Sequence, residues 1–125
     1  MAENHNQKVG QIGEKQARDF LQAQNHQILA QNYHSRFGEI DIISINLTKP
    51  RKIIFTEVKT RIDISFGHPE ESLTYQKKQR LFKTAIDYLT KNNLKTSWRI
   101  DLIAIQLDKS QKLLDLRHYK NVFHV

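Results

Sequence analysis

The spacing of the apolar residues changes several times along this chain, and it constrains the fold more than any other feature. Apolar side chains recur at helical spacing over residues 5–25 and again over roughly residues 72–92, where Ser72 is the expected N-cap. Between and after these helices, five stretches are typical of β-strands: residues 26–34, 39–46, 52–60, 98–106 and 112–120. The predicted order is αβββαββ, an α/β fold whose first three strands form a meander.

Two glycines lie on the apolar side of the first predicted helix. Gly10 and Gly13 are three residues apart, so they face the same way in a helix. Glycine lowers helix propensity, but its lack of a side chain lets a helix approach a sheet closely. We therefore expect close packing of this helix on the sheet at both glycines.

The size and composition are those of one ordinary domain. With 125 residues, 38% of them apolar, the chain can bury a core, and we expect a single domain over residues 1–125. The absence of cysteine excludes disulfides, thiolate metal sites and a cysteine nucleophile. No apolar stretch is long enough for a signal core or a membrane span, so we expect a soluble, cytoplasmic protein. The net charge of +7 favours an anionic partner such as nucleic acid.

Charged residues interrupt two of the apolar strands. Asp41 lies in the second strand, and Glu57 and Lys59 lie two residues apart in the third. Because side chains alternate between the faces of a strand, Glu57 and Lys59 point the same way, and Asp41 is expected on the face of Ile43. If the two strands pair, the acids and the amine converge, and a metal ion would offset the cost of burying them.

This combination is suited to metal-assisted phosphodiester hydrolysis. The carboxylates of Asp41 and Glu57 and the backbone carbonyl of Val58 are hard oxygen ligands for Mg²⁺ or Mn²⁺. Lys59 would orient the attacking water or stabilise the negative charge of the pentavalent phosphorane. Glu14, at the edge of the apolar stripe of the first helix, is either a further acid of the site or an ordinary solvated glutamate, and its spacing does not decide between them.

Basic residues are concentrated around the second helix. Lys77, Lys78, Arg80 and Lys83 stand against a single acid, Asp87. Such a one-signed region either follows a phosphate backbone or forms a solubilising surface.

Four further residues bear on nucleic-acid binding. Arg36 and Arg61 lie near the two strands that carry the acids, so they are candidate phosphate contacts. Tyr75 and Phe66 are candidates for base stacking, although a role in the core or in anchoring a loop is commoner for such residues.

Two other sets of potential metal ligands are set aside. Asp101 has no neighbouring ligand in the sequence, so we interpret it as a partner of Arg99 or as an edge cap. The six histidines show no pair at helical ligand spacing, which argues against a zinc site.

Sequence blocks spread over nearly the whole chain resemble a known family. They are GEKQARDFL, QNYHSRFGEIDII, FTEVKTR, FGHPEESLTYQKKQRL, WRIDLIAI and the terminal NVF. In this order they are similar to the YraN-like family of uncharacterised bacterial proteins, and the Asp…Glu-x-Lys pattern resembles PD-(D/E)xK nucleases of the Holliday junction resolvase type. Ile40 stands where the superfamily name has proline, which leaves the acidic ligands in place.

This resemblance carries implications for both fold and site. It implies a restriction-endonuclease-like three-layer fold, in which helices flank a mixed β-sheet. It also implies that Asp41 and Glu57 are metal ligands, that Lys59 is the catalytic lysine and that Glu14 is the acid of the helix.

Three functions remain open at this point. The first is a Mg²⁺- or Mn²⁺-dependent DNA endonuclease acting on branched or structured DNA, as a homodimer if it cuts two strands symmetrically. The second is a nuclease-fold module that binds nucleic acid without cutting it. The third, an adaptor for an acidic protein partner, is the least favoured. The sequence does not decide between DNA and RNA.

Overall fold

The computed structural model describes residues 4–63 and 73–123, and these ranges contain two helices and five strands. The elements are α1 (His5–Ala23), β1 (His26–Ser35), β2 (Gly38–Asn46), β3 (Lys52–Ile62), α2 (Tyr75–Lys91), β4 (Trp98–Leu107) and β5 (Leu113–Tyr119). The predicted order αβββαββ is therefore confirmed. Neither described helix is long and apolar enough to cross a membrane.

Both helices begin at a polar cap. Asn4 and Gln7 form a capping box, in which the Gln7 N–H donates to Asn4 Oδ1 at 2.8 Å and the Asn4 N–H donates to Gln7 Oε1 at 3.1 Å. In α2 the Lys77 N–H donates to Thr74 Oγ1 at 3.2 Å. Thr74 is thus the N-cap of α2, and the predicted helix start at Ser72 is wrong. Ser72 itself lies outside the described residues.

The five strands form one mixed sheet in the order β1-β2-β3-β4-β5. Neighbouring strands are antiparallel except β3 and β4, which are parallel. The predicted meander of β1, β2 and β3 is confirmed. A parallel pair needs a crossover connection, and α2 lies in that connection.

α1 and α2 cover opposite faces of the sheet. One apolar cluster contains Leu81 of α2 and Leu102 of β4, and the other contains Ala17 of α1 and Ile103 of β4. Successive residues of β4 therefore point to different helices, as strand alternation requires. The predicted α/β class and the predicted three layers, a mixed sheet with a helix on each face, are confirmed.

Only one of the two glycines of α1 is required for close packing. A Cβ at Gly13 would lie 1.8 Å from Oγ1 of Thr60 in β3, so no side chain fits there. A Cβ at Gly10 would meet no heavy atom within 4 Å. The prediction of close approach is confirmed for Gly13 and wrong for Gly10, because the space beside Gly10 is open.

A buried ion cluster joins β4 to β5 and to the segment that follows. The fully buried Asp101 carboxylate accepts hydrogen bonds from Nε and Nη2 of Arg99 (2.9 and 3.2 Å), from Nε2 of His118 (2.8 Å) and from the Asn121 N–H (3.0 Å). Burial alone would raise the pKa of Asp101, but hydrogen bonds from His118, Arg99 and the Asn121 N–H hold this pKa below its ordinary value. The interpretation of Asp101 as a partner of Arg99 is confirmed.

Candidate active site

The hydrogen bonding between β2 and β3 stops next to Asp41. Pairing of β2 with β3 ends at Ile42 and Thr56, and beyond it the Val58 N–H donates to Oδ2 of Asp41 at 2.7 Å. On the other side of β2, Asn32 stands opposite Asp41, between the flanking pairs Gln31–Ile42 and Tyr33–Ile40. Asn32 has a φ of 51°, which distorts a strand locally. The Asp41 side chain therefore takes over a backbone hydrogen bond where the strands separate.

This irregularity breaks the alternation of side chains along β2. Ile40 and Ile43 both belong to the cluster beneath α2, whereas Ile42 belongs to the cluster beneath α1. Because the break falls at Asp41, alternation does not assign Asp41 to the face of Ile43, and that assignment stays a prediction. Asp41 lies close enough to both Glu14 of α1 and Glu57 for its charge to raise the pKa of each, and Glu57 lines the cleft on the α2 side.

Asp41 interacts with two other carboxyl groups, that of Glu14 from α1 and that of Glu57 on the α2 side of the sheet. Burial, followed by the charge and hydrogen bond of Asp41, raises the pKa of Glu57 to about 9. The same causes raise the pKa of Glu14 to about 7, and a hydrogen bond from the Asn32 side chain acts in the opposite direction. When protonated, Glu14 and Glu57 donate to the Asp41 carboxylate. The sequence left the position of Glu14 open, and the structure brings it to Asp41.

Glu57 and Lys59 share a cleft on the α2 side of the sheet, so the common face predicted for them is confirmed. Burial and then the charges of Arg61 and Lys77 lower the pKa of Lys59, and the charge of Glu57 opposes them. The cleft has a volume of about 260 Å³. Its walls are formed by Gly38, Glu39, Glu57, Lys59, Leu73, Lys77, Arg80, Leu81 and Leu102.

The four basic residues predicted on the second helix do not all line the cleft. Lys77 and Arg80 line the cleft. Lys83 lines a separate hollow on the outer side of α2. Lys78 is half-buried and is not among the residues that line the cleft.

The remaining candidates for nucleic-acid contacts lie around the edge of this region. Arg61 is exposed near the end of β3. Arg36 lies in the β1–β2 turn, with its Cζ 4.8 Å from the ring centroid of Phe37. Tyr75, the first residue of α2, is 76% exposed. The prediction for Phe66 falls outside the described residues.

Comparison with known proteins identifies the family. Residues 13–105 match the uncharacterised protein family UPF0102. The chain belongs to the UPF0102 family. A UPF0102 protein of Clostridium novyi is 39% identical over 121 residues, which cover 96% of this chain and 98% of that relative. A UPF0102 protein of Alkaliphilus oremlandii is 37% identical over 120 residues, covering 94% and 99% respectively.

Membership of UPF0102 confirms the resemblance to a family of uncharacterised bacterial proteins. Among solved structures, SfsA of Pyrococcus furiosus in complex with Ca²⁺ is similar, with a TM-score of 0.42 and 10% sequence identity. That similarity covers 96% of this chain and 65% of the SfsA chain.

The described acids of this UPF0102 chain do not form a group that could hold a metal ion through carboxylates alone. Within residues 4–63 and 73–123, no group of three or more His, Cys, Asp or Glu side chains is arranged to hold a metal ion. Instead, Glu14 and Glu57 each lie close to Asp41, whose charge raises the pKa of both. A metal ion here would therefore need oxygen ligands besides carboxylates.

Two residues of the site were not predicted from the sequence. Asn32 hydrogen-bonds Glu14, and Glu39 lines the cleft, where its charge raises the pKa of both Glu14 and Glu57. Glu39 lies two residues before Asp41 in one strand, a spacing that could have indicated it. Asn32 reaches the site through a strand irregularity that no sequence pattern signals.

The crowded carboxyls make the stability of the metal-free protein depend on pH. Both glutamates have an ordinary pKa of 4.5, raised to about 7 for Glu14 and about 9 for Glu57. An acid whose pKa is raised by folding destabilises the fold increasingly as pH rises from its unfolded to its folded pKa. We expect Glu57→Gln to raise the Tm by about 5 °C at pH 8.5 in EDTA, and to have little effect near pH 4.5.

Thermal unfolding at pH 4.5, 6.5 and 8.5 checks this expectation. Asp63→Asn is the matched control, because Asp63 is 53% exposed and pairs only loosely with Lys109, at 3.6 Å. Its effect on Tm should be small and nearly independent of pH. If the Tm difference between Glu57→Gln and the wild type stays constant across the three pH values, the assigned crowding of the carboxyl groups is wrong.

Proposed function

We propose that this UPF0102 protein is a metal-dependent endonuclease that hydrolyses phosphodiester bonds of DNA. The observation that carries the proposal is that Glu57 and Lys59 share one cleft, with Asp41 next to Glu57 and with Lys77 and Arg80 on the α2 side of the cleft. Acids that bind a metal, an amine that neutralises charge and cations that hold flanking phosphates are what phosphoryl chemistry requires.

The donor set fits a hard divalent cation. Asp41 and Glu57 are crowded enough for Glu57 to retain its proton well above its ordinary pKa, and a divalent cation would neutralise both groups in place of that proton. Asp41, Glu57 and the carbonyl of Val58 would hold Mg²⁺ or Mn²⁺, with water completing the shell. When bound, the metal would polarise a phosphoryl oxygen and lower the pKa of a water molecule.

The other side chains have separate tasks in the proposed reaction. Attack by water forms a P–O bond as the bond to the leaving oxygen breaks, and the Lys59 ammonium stabilises the negative charge that accumulates on the phosphorane. Glu14, which lies beside Asp41, would take up the proton that the water loses, and the leaving oxygen would take a proton from solvent. Lys77 and Arg80 would hold phosphates on either side of the bond that is cut.

Cleavage assays with linear, flapped and four-way DNA in Mg²⁺ or Mn²⁺ test this proposal. We expect Lys59→Ala to slow cleavage by about 100-fold or more, because it removes the cation beside the reacting phosphate. Lys52→Ala is the matched control in the same strand, since Lys52 pairs with Asn46 at the end of β3 away from the cleft. Cleavage that survives Lys59→Ala unchanged, or no cleavage of any of these DNAs, would count against the proposal.

A second candidate is a module that binds nucleic acid without cutting it. It is favoured by the lack of a compact metal-binding group among the described acids. DNA binding that depends on salt but is indifferent both to Mg²⁺ and to Asp41→Asn would support this alternative.

A further inference from the structure

A second groove lies on the outer side of α2, next to the active-site cleft. Phe37 of the β1–β2 turn and Phe82, Lys83, Ile86, Asp87 and Thr90 of α2 surround a hollow of about 380 Å³. Its walls are largely aromatic and aliphatic, and Ile86 is 39% exposed. Exposed apolar surface of this kind marks a binding site when polar groups border it.

The border of the groove is positively charged. Lys83 is exposed, and the guanidinium of Arg36 lies over the ring of Phe37. Asp87 is the acid among the described lining residues, and it is engaged by the Tyr33 hydroxyl, which donates to it, and by Lys91 at 3.2 Å. An apolar floor with cations at its rim suits a nucleobase joined to phosphates.

The groove adjoins the cleft along two elements. In the β1–β2 turn, Gly38 lines the cleft and its neighbour Phe37 lines the groove. In α2, Arg80 lines the cleft and Lys83 lines the groove, and residues three apart are neighbours on a helix surface. A nucleic-acid strand that leaves the cleft would therefore meet two successive cations and then an aromatic ring.

We propose that this groove holds an unpaired base of the DNA strand beside the bond that is cut, so that the substrate class is DNA with a single-stranded flank. The bases of an intact duplex are already stacked on both sides, whereas an unpaired base can stack on an aromatic side chain. Phe37 supplies the stacking surface, and Lys83 and Arg36 contact the adjoining phosphates. This inference rests on the proposed function, because it names the substrate of that site.

The test measures DNA binding in EDTA, so that its outcome does not depend on cleavage. The probes are a blunt duplex and the same duplex with a single-stranded flank, in which 2-aminopurine replaces the flanking bases one at a time. We expect tighter binding of the flanked DNA and quenching of the fluorophore at one or two adjacent positions. Phe37→Ala should weaken binding of the flanked DNA by about tenfold and abolish the quenching, while leaving the blunt duplex unaffected.

Two further variants separate stacking from a structural effect. Phe37→Trp should retain tight binding of the flanked DNA, because it keeps an aromatic surface. Leu114→Ala is the control for an exposed apolar residue elsewhere, on β5, where Leu114 is 55% exposed, and it should change nothing.

Three results would overturn the inference. The first is equal affinity of the wild-type protein for blunt and flanked DNA. The second is that Phe37→Ala loses affinity equally for both DNAs. The third is that Phe37→Ala loses no affinity for flanked DNA, which would assign the groove to another partner such as an acidic peptide. A preference for flanked DNA without any cleavage would instead support the groove and reject the nuclease.

Discussion

Replacing Asp101 with asparagine should lower the free energy of unfolding by about 3 kcal/mol, a fall in Tm of about 10 °C. The two oxygens of this fully buried carboxylate accept four hydrogen bonds, from Arg99, His118 and Asn121. Asparagine offers one oxygen and turns an N–H₂ group toward the remaining donors. Arg99 then keeps a largely buried charge without its counterion, since its side chain is only 16% exposed.

The same chain contains a matched control for this prediction. Arg117 and Asp115 form an ion pair with the same 2.9 Å distance between Nε and a carboxylate oxygen and the same spacing of two residues along a strand, but their side chains are 46% and 41% exposed. Asp115→Asn should therefore change stability by less than about 1 kcal/mol. Chemical denaturation at pH 7 distinguishes the two variants, and equal effects would mean that burial does not govern these pairs.

The Asp101 cluster also predicts how the protein responds to acid. The folded state holds the pKa of Asp101 below its ordinary value, so its contribution to stability is present above the unfolded pKa of about 4 and is lost as pH falls through the folded pKa. The stability difference between the wild type and Asp101→Asn should accordingly shrink below about pH 4.

Replacing Gly13 with alanine should lower the free energy of unfolding by about 2 kcal/mol or more. The new Cβ would lie 1.8 Å from Oγ1 of Thr60 and 2.8 Å from its Cβ, so rotation of the threonine does not relieve the contact. α1 must therefore move away from β3, which loosens the core around Ala17 and displaces Glu14 from Asp41.

Gly10→Ala is the control for the substitution at Gly13. A Cβ at Gly10 would meet open space, so the substitution changes only the helix propensity. Because alanine has the higher propensity, this variant should be more stable than the wild type by up to about 1 kcal/mol. Adding Thr60→Ala to Gly13→Ala should restore part of the lost stability, because two of the three clashing atoms disappear. If both glycine variants unfold at the same denaturant concentration, the assigned close packing is incorrect.

The order of the elements was predictable from the sequence, and so was the position of Glu57 and Lys59 on one face of β3. Both depend on local periodicity: the apolar spacing of α1 and of the strands sets the elements, and the two-residue repeat of β3 places Glu57 and Lys59 on one side. The start of α2 was misjudged, because Ser72 and Thr74 are both suitable caps and only hydrogen bonding to the Lys77 N–H decides between them.

The tertiary structure alone decided how the acids meet. Periodicity assigns Asp41 to one face of the sheet, yet its charge raises the pKa both of Glu14, from α1, and of Glu57, on the α2 side. It can do so because β2 separates from β3 beyond Ile42, where the Asp41 side chain replaces a main-chain partner of Val58. Such an exchange depends on competition among hydrogen bonds from strands distant in the sequence, so no local pattern encodes it. The sequence therefore determined which residues are candidates for the proposed chemistry, and the irregular strands determined that Glu14, Asp41 and Glu57 lie close together.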